Sequence, residues 1–171
     1  MNLKTLPIGG VFLFNYSVFL GHKPKLMEIL LNLHSYLAYI VLAVLVLAVV
    51  NALLGWVGKK DFSMEKDLRI SLFALIFSHI QLLVGLILYF VSAKGFNAIQ
   101  TLGMGGMNSA SRLLAVEHPF VNILALVLIT IGWSRHKKFM ESSKKFKTIS
   151  IFYGLGLVLI LSRLPWAQWF A

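Results

Sequence analysis

Cysteine is absent from this 171-residue chain, which excludes disulfides, thiolate metal sites, iron–sulfur clusters and covalent c-type haem attachment. Acidic residues are scarce too, six Asp and Glu against sixteen Lys and Arg. Charged residues make up 13% of the chain and hydrophobic ones 58%, a balance too apolar for a water-soluble domain. The sustained polar–apolar alternation of a membrane β-barrel is also missing. Any cofactor must be held by His, Met, carboxylate or packing.

What the chain does have is long apolar runs. Four of them, at about 29–57, 68–93, 111–134 and 148–166, reach or approach the roughly 20 residues that a helix needs to cross a bilayer. The expected fold is all-α, a polytopic membrane protein with its four transmembrane helices in an up-down bundle. Residues 1–26 read as an N-terminal extension and 27–171 as the four-helix domain. The uncharged stretch from Thr5 to His22, interrupted by Pro7, Gly9, Gly10 and Asn15, suits a poor membrane segment, an interfacial stretch or a signal-like region.

The net charge of +10 is no nucleic-acid signal, because the cations sit in short loops between apolar spans and form no basic face on a soluble domain. Ten of the sixteen fall around the first and third loops: Lys59, Lys60, Lys66, Arg69, Arg135, Lys137, Lys138, Lys144, Lys145 and Lys147. Cytoplasmic loops retain positive charge, so the expected setting is the bacterial inner membrane with both termini on the outer face. The outer loop from Lys94 to Arg112 carries Gly95, Gly103, Gly105 and Gly106 around Met104 and Met107. It reads as a flexible neutral connector, with a thioether copper-collecting loop the sharper alternative. Trp166 and Trp169 read as an interfacial aromatic belt, and Arg163 at the end of the last span must snorkel outward or find an anion.

Ionisable residues inside membrane spans are costly, which makes His34, His79 and His118 the functional candidates, while His22 and His136 lie in flanking, solvated positions. His34 is five residues into the first span, counted from Ile29, and His118 five into the third, counted from Leu113. Both are then about 7–8 Å along helices that enter from the same side. First and third helices of an up-down bundle are diagonal, so the two imidazoles can address one object on the axis. Haem b with two axial histidines meets these conditions: it needs no cysteine, an apolar slot and two neutral imidazoles. Ala38, Ala125 and Gly156 supply small residues for that slot. Interhelical hydrogen bonding is the structural alternative for each histidine. Pro119 is expected to kink a continuous helix beginning near Ser111, with Glu117 at the outer interface.

His79, roughly 8 Å deeper by helix rise, is expected beside the cofactor, where it adjusts polarity or protons; its pairing with His34 or His118 is the rival assignment. Ser71, Ala74, Ser78, Gln81, Gly85 and Ser92 recur around it as a small, polar stripe suited to tight packing or to a proton or quinol site.

The strings Leu33-His34-Ser35, Ser78-His79-Ile80-Gln81 with Gly85 and Tyr89, Val116-Glu117-His118-Pro119 and Arg163-Leu164-Pro165-Trp166 together resemble a family of small four-helix bacterial inner-membrane proteins of cytochrome b-like type. More loosely, the arrangement is similar to one four-helix half of haem A synthase. The resemblance covers about Met27 to Trp166. It implies a haem-binding membrane protein in which His34, His79 and His118 occupy the matching positions; Arg163 is a further cofactor-binding candidate. Electron transfer between a quinol and a partner protein is the expected role. A copper, zinc or non-haem iron site built from His34, His79, His118 and Glu117 is one alternative, and a cofactor-free subunit of a membrane assembly, possible as an oligomer, is the other.

Overall fold

The computed structural model describes residues 7–169, with side chains described from Lys25 onward. It is all helical: α1 (Pro7–Val57), α2 (Asp67–Val91), α3 (Phe96–Gly106), α4 (Ser109–Arg112), a π turn (Leu113–Glu117), α5 (His118–His136), α6 (Ser142–Ser162) and α7 (Trp166–Trp169). Four stretches are long and apolar enough to cross a bilayer: Lys25–Val57, Asp67–Val91, Ser109–His136 and Ser142–Ser162. They form a four-helix bundle in which α1 packs on α2 and α6, and α5 packs on α6 and α2. Helices α1 and α5 are thus the diagonal pair. The protein is a multi-pass membrane protein whose long helices turn large apolar side chains such as Leu47, Leu83, Val127 and Val158 outward, because lipid rather than water is their solvent.

Several boundaries differ from the sequence reading. Helix α1 starts at Pro7, and the residues expected as a separate extension continue into it; residues 1–6 lie outside the described residues. Helix α6 starts at Ser142 and ends at Ser162, so Lys144, Lys145 and Lys147 belong to its first turns instead of a loop. Helix α2 ends at Val91. The connector after α2 is ordered into α3, which breaks at Gly103, where φ of +64° demands glycine. Asn108 then opens α4 by accepting the Ser111 N–H at 2.8 Å.

Pro119 does not end the third span. Its ring lacks an N–H and would press on the carbonyl four residues back, so the ladder widens into the π turn over Leu113–Glu117, and the His118 N–H reaches the carbonyl of Leu113. His118 keeps helical angles, φ −60° and ψ −53°.

The two ends of the bundle are packed differently. At the basic end, Leu45, Ala48, Val49, Ala52, Ala74, Ile129, Phe146, Ile149 and Tyr153 make a buried core. Asp67, 7% exposed, accepts from Asn51 Nδ2 and the Ser63 N–H, both at 2.8 Å, and so ties the 58–66 loop to α1. His136 is a correction to the sequence reading. It is 2% exposed, its ring 4.8 Å from Trp133 and 5.9 Å from Phe62, with Nδ1 buried and unbonded. The helix end that carries it is pinned under Phe62, which also contacts Phe146 at 5.0 Å. Gly156 is likewise reassigned. A Cβ there would lie 2.8 Å from Ile129 and 3.1 Å from the Ala125 carbonyl, so Gly156 and Ala125 seat α5 against α6 and do not line a cofactor slot.

Candidate functional site

Toward the histidine end the large core residues run out. Ala38, Ser35, Ser78 and Gly85 replace them, and helices held apart by Phe146 and Tyr153 below cannot collapse onto such small side chains. The result is a cavity of about 530 Å³, inside the 300–1,000 Å³ range of small-molecule and cofactor sites. His34 of α1 and His118 of α5 both line it. Their ring centroids are 6.3 Å apart and the rings are nearly perpendicular, at 78°. Matched depth on diagonal helices therefore brings these two imidazoles together, as the spacing predicts.

Each imidazole is held by neighbours that the sequence does not advertise. His118 Nδ1 lies 2.8 Å from the Arg163 carbonyl, just beyond α6. A carbonyl only accepts, so Nδ1 carries the hydrogen and Nε2 is left with its lone pair. Asn122 donates to the His118 carbonyl at 2.6 Å. Its second contact, 3.2 Å to Nδ1, is the weaker one, because Nδ1–H is committed to Arg163. On the other side the Gln81 amide nitrogen donates to the His34 carbonyl at 2.9 Å and lies 3.2 Å from His34 Nδ1. Gln81 Oε1 is buried without a partner. Gly85, one turn on, leaves room for the ring: a Cβ there would stand 3.1 Å from His34 Cε1.

Arg163 finds the anion that its position requires. Its Nε is 3.3 Å from one Glu117 oxygen, and Arg112 Nε is 2.9 Å from the other. Glu117 is thus the shared counter-ion of two arginines at the rim. Arg163 serves the site through its main-chain carbonyl, while Lys94 is the charged residue on the cavity lining itself.

His79 is not with the other two. It is exposed, bonded through Nδ1 to the Leu75 carbonyl at 2.8 Å, and lies in a separate groove between α2 and α5. The small, polar stripe of α2 does face inward, with Ser71, Ala74 and Ser78 all buried, and His79 falls off it. Among the described residues no group of three or more His, Asp or Glu converges to hold a bare metal ion.

Gln81 is expected to be a positioning residue for His34. Outer partners that orient a ligating imidazole typically contribute 10–100-fold to affinity. Gln81→Ala should therefore weaken any ligand held by His34 by about that factor, read by titration against the parent chain.

Comparison with protein-family models, with curated proteins and with solved structures finds no match.

Proposed function

We propose that this protein binds haem b between His34 and His118 and carries electrons within the membrane. The observation behind this reading is the 6.3 Å separation of the two rings across a cavity of cofactor size. His34 and His118 would hold the haem through one ring nitrogen each, and a metal–nitrogen distance of about 2 Å fits within that separation.

The surrounding residues fit such a group. His118 offers Nε2, since its Nδ1–H is spent on Arg163. His34 would hold the group through a ring nitrogen, with the Gln81 amide fixing that residue from the α2 side. Apolar side chains such as Leu31, Leu86 and Leu114 exclude water from the slot. Lys94, on the cavity lining, supplies positive charge for carboxylate substituents. The haem would supply one-electron chemistry. Two imidazoles without a third ligand would suit a haem, which brings nitrogen ligands of its own, better than a bare copper, zinc or iron ion.

The deciding experiment is an absorption spectrum of the purified protein with metal analysis. A strong Soret band with low-spin b-type features supports the reading. A preparation that never takes up haem, even when haem is supplied during expression, overturns it.

The basic end is proposed to face the cytoplasm of a bacterial inner membrane, on the strength of the charge asymmetry. Met140, 95% exposed at that end, and Met104, 60% exposed at the other, give clean reporters. In intact cells Met104→Cys should react with an impermeant thiol reagent and Met140→Cys should resist it. The reverse pattern would invert the orientation.

A further inference from the structure

Beyond α6 the chain turns back along the bundle. Arg163 departs from the helix at φ −129° and ψ 22°, and Pro165, which has no N–H, keeps the α6 ladder from resuming. Leu164 is buried and the Arg163 carbonyl is bonded to His118 at 2.8 Å, so this turn is anchored at its root. The short helix α7 then carries Trp169 onto Tyr39 of α1, with ring centroids 4.4 Å apart. Tyr39 is five residues past His34, about 7–8 Å nearer the middle of its span, and is half exposed to the lipid there. The tip of the segment therefore reaches from the end of α6 across to the bilayer-facing side of α1.

The gap it crosses leads to the cavity. Ser35 and Ala38 of α1 and Ile160 of α6 line the cavity, and so do Leu164, Gln168 and Trp169 of the returning segment. Toward the basic end the same two helices are in close contact, since a Cβ on Gly55 would collide with Phe146. At the histidine end the returning segment covers what they leave open. Its root is tied by a hydrogen bond and a buried leucine, whereas its tip meets α1 through a ring contact at an exposed tyrosine. Such a contact adds roughly two- to tenfold to an equilibrium beyond the area it buries, a tie weak enough for the tip to swing out while the root stays.

We infer that residues 164–169 form a strap closing a lateral entrance from the bilayer to the cavity, between α1 and α6, with Trp169 latched on Tyr39. An entrance at that depth admits a ligand dissolved in lipid rather than in water. The inference rests on the cavity and not on which ligand fills it.

The chain has no cysteine, so Ser78→Cys places a single thiol on the cavity wall formed by α2, at a position 7% exposed. The test is the rate at which that thiol reacts with N-ethylmaleimide, which dissolves in lipid, in the full chain in lipid nanodiscs at matched haem content. Reaction is expected to be slow, and slower still with a charged, membrane-impermeant maleimide. Tyr39→Ala should raise the N-ethylmaleimide rate about two- to tenfold, and Trp169→Ala by more, because it also removes the covering ring. Tyr39→Phe, which keeps the ring contact, should leave the rate where it was. The helical circular dichroism of each variant confirms that it has folded. A rate unchanged in folded Tyr39→Ala and Trp169→Ala would overturn the proposal. So would faster entry of the charged reagent than of N-ethylmaleimide, because the way in would then be from water. A Soret band with labelling indifferent to the strap sinks the strap and leaves the haem reading; strap-dependent labelling of a chain that never takes up haem does the converse.

Discussion

His118→Ala and His34→Ala are each expected to remove the low-spin b-type spectrum, with haem retention falling by more than about 100-fold, whereas His79→Ala keeps it. In the proposed haem complex, removing an imidazole would delete a bond to iron, which exceeds the 10–100-fold loss typical of residues that only orient a ligand. The three variants separate because His34 and His118 lie 6.3 Å apart on the lining of one cavity, while His79 lies in the groove behind Leu82 and Leu126. His118→Ala also frees the Arg163 carbonyl, so some loosening of the α6 terminus accompanies it. His118→Gln, which can restore a donor to that carbonyl, should lose the spectrum without the loosening. If His79→Ala alone loses haem, the cofactor lies deeper and the ligand pair is wrong. If all three variants bind haem normally, the histidines serve packing.

Gly156→Val is expected to destabilise the bundle by about 1–3 kcal/mol without touching the ligands, the usual range for forcing methyl groups into a filled contact. Its Cβ would stand 2.8 Å from Ile129 Cγ1 and 3.1 Å from the Ala125 carbonyl, and Ile129 is itself wholly buried, so neither neighbour has space to retreat. The melting temperature should fall while the position of the Soret maximum in folded protein stays put. Gly85→Val makes the complementary case. Its Cβ crowds His34 Cε1 at 3.1 Å, so the spectrum should change more than the melting temperature. A Gly156→Val protein as stable as the parent would show that α5 and α6 are not in the close contact described.

Much of the arrangement was legible in the sequence because helical periodicity is local. At 100° per residue His34 falls in line with Ala38, Val41, Leu45, Ala48 and Ala52, and His118 with Asn122, Ala125, Ile129, Gly132 and His136. Both rows face the bundle interior, and helix order alone makes their helices diagonal. The same rule turns His79 more than 90° away from the stripe of Ser71, Ala74, Ser78, Gln81 and Gly85. Depth alone had placed it beside the cofactor; depth and azimuth together place it outside. His136 was misread as solvated because it follows a span, although the interior row of α5 runs straight to it.

By itself, then, the sequence determined a cysteine-free bundle of four membrane-spanning helices, the inward stripe of α2, and two histidines at matched depth on diagonal helices. These follow from composition, run length and the 3.6-residue period, all properties of one helix at a time. Only the tertiary structure decided that the bundle is filled at its basic end and hollow at its histidine end. It also decided that Gln81 and the Arg163 carbonyl hold the two imidazoles, that Gly156 seats a helix, and that Glu117 is shared between two arginines. Each of those contacts joins side chains from different helices, and whether they touch depends on interhelical distance and rotation. Those are set by the sum of the packed volumes, which no single helix carries in its sequence.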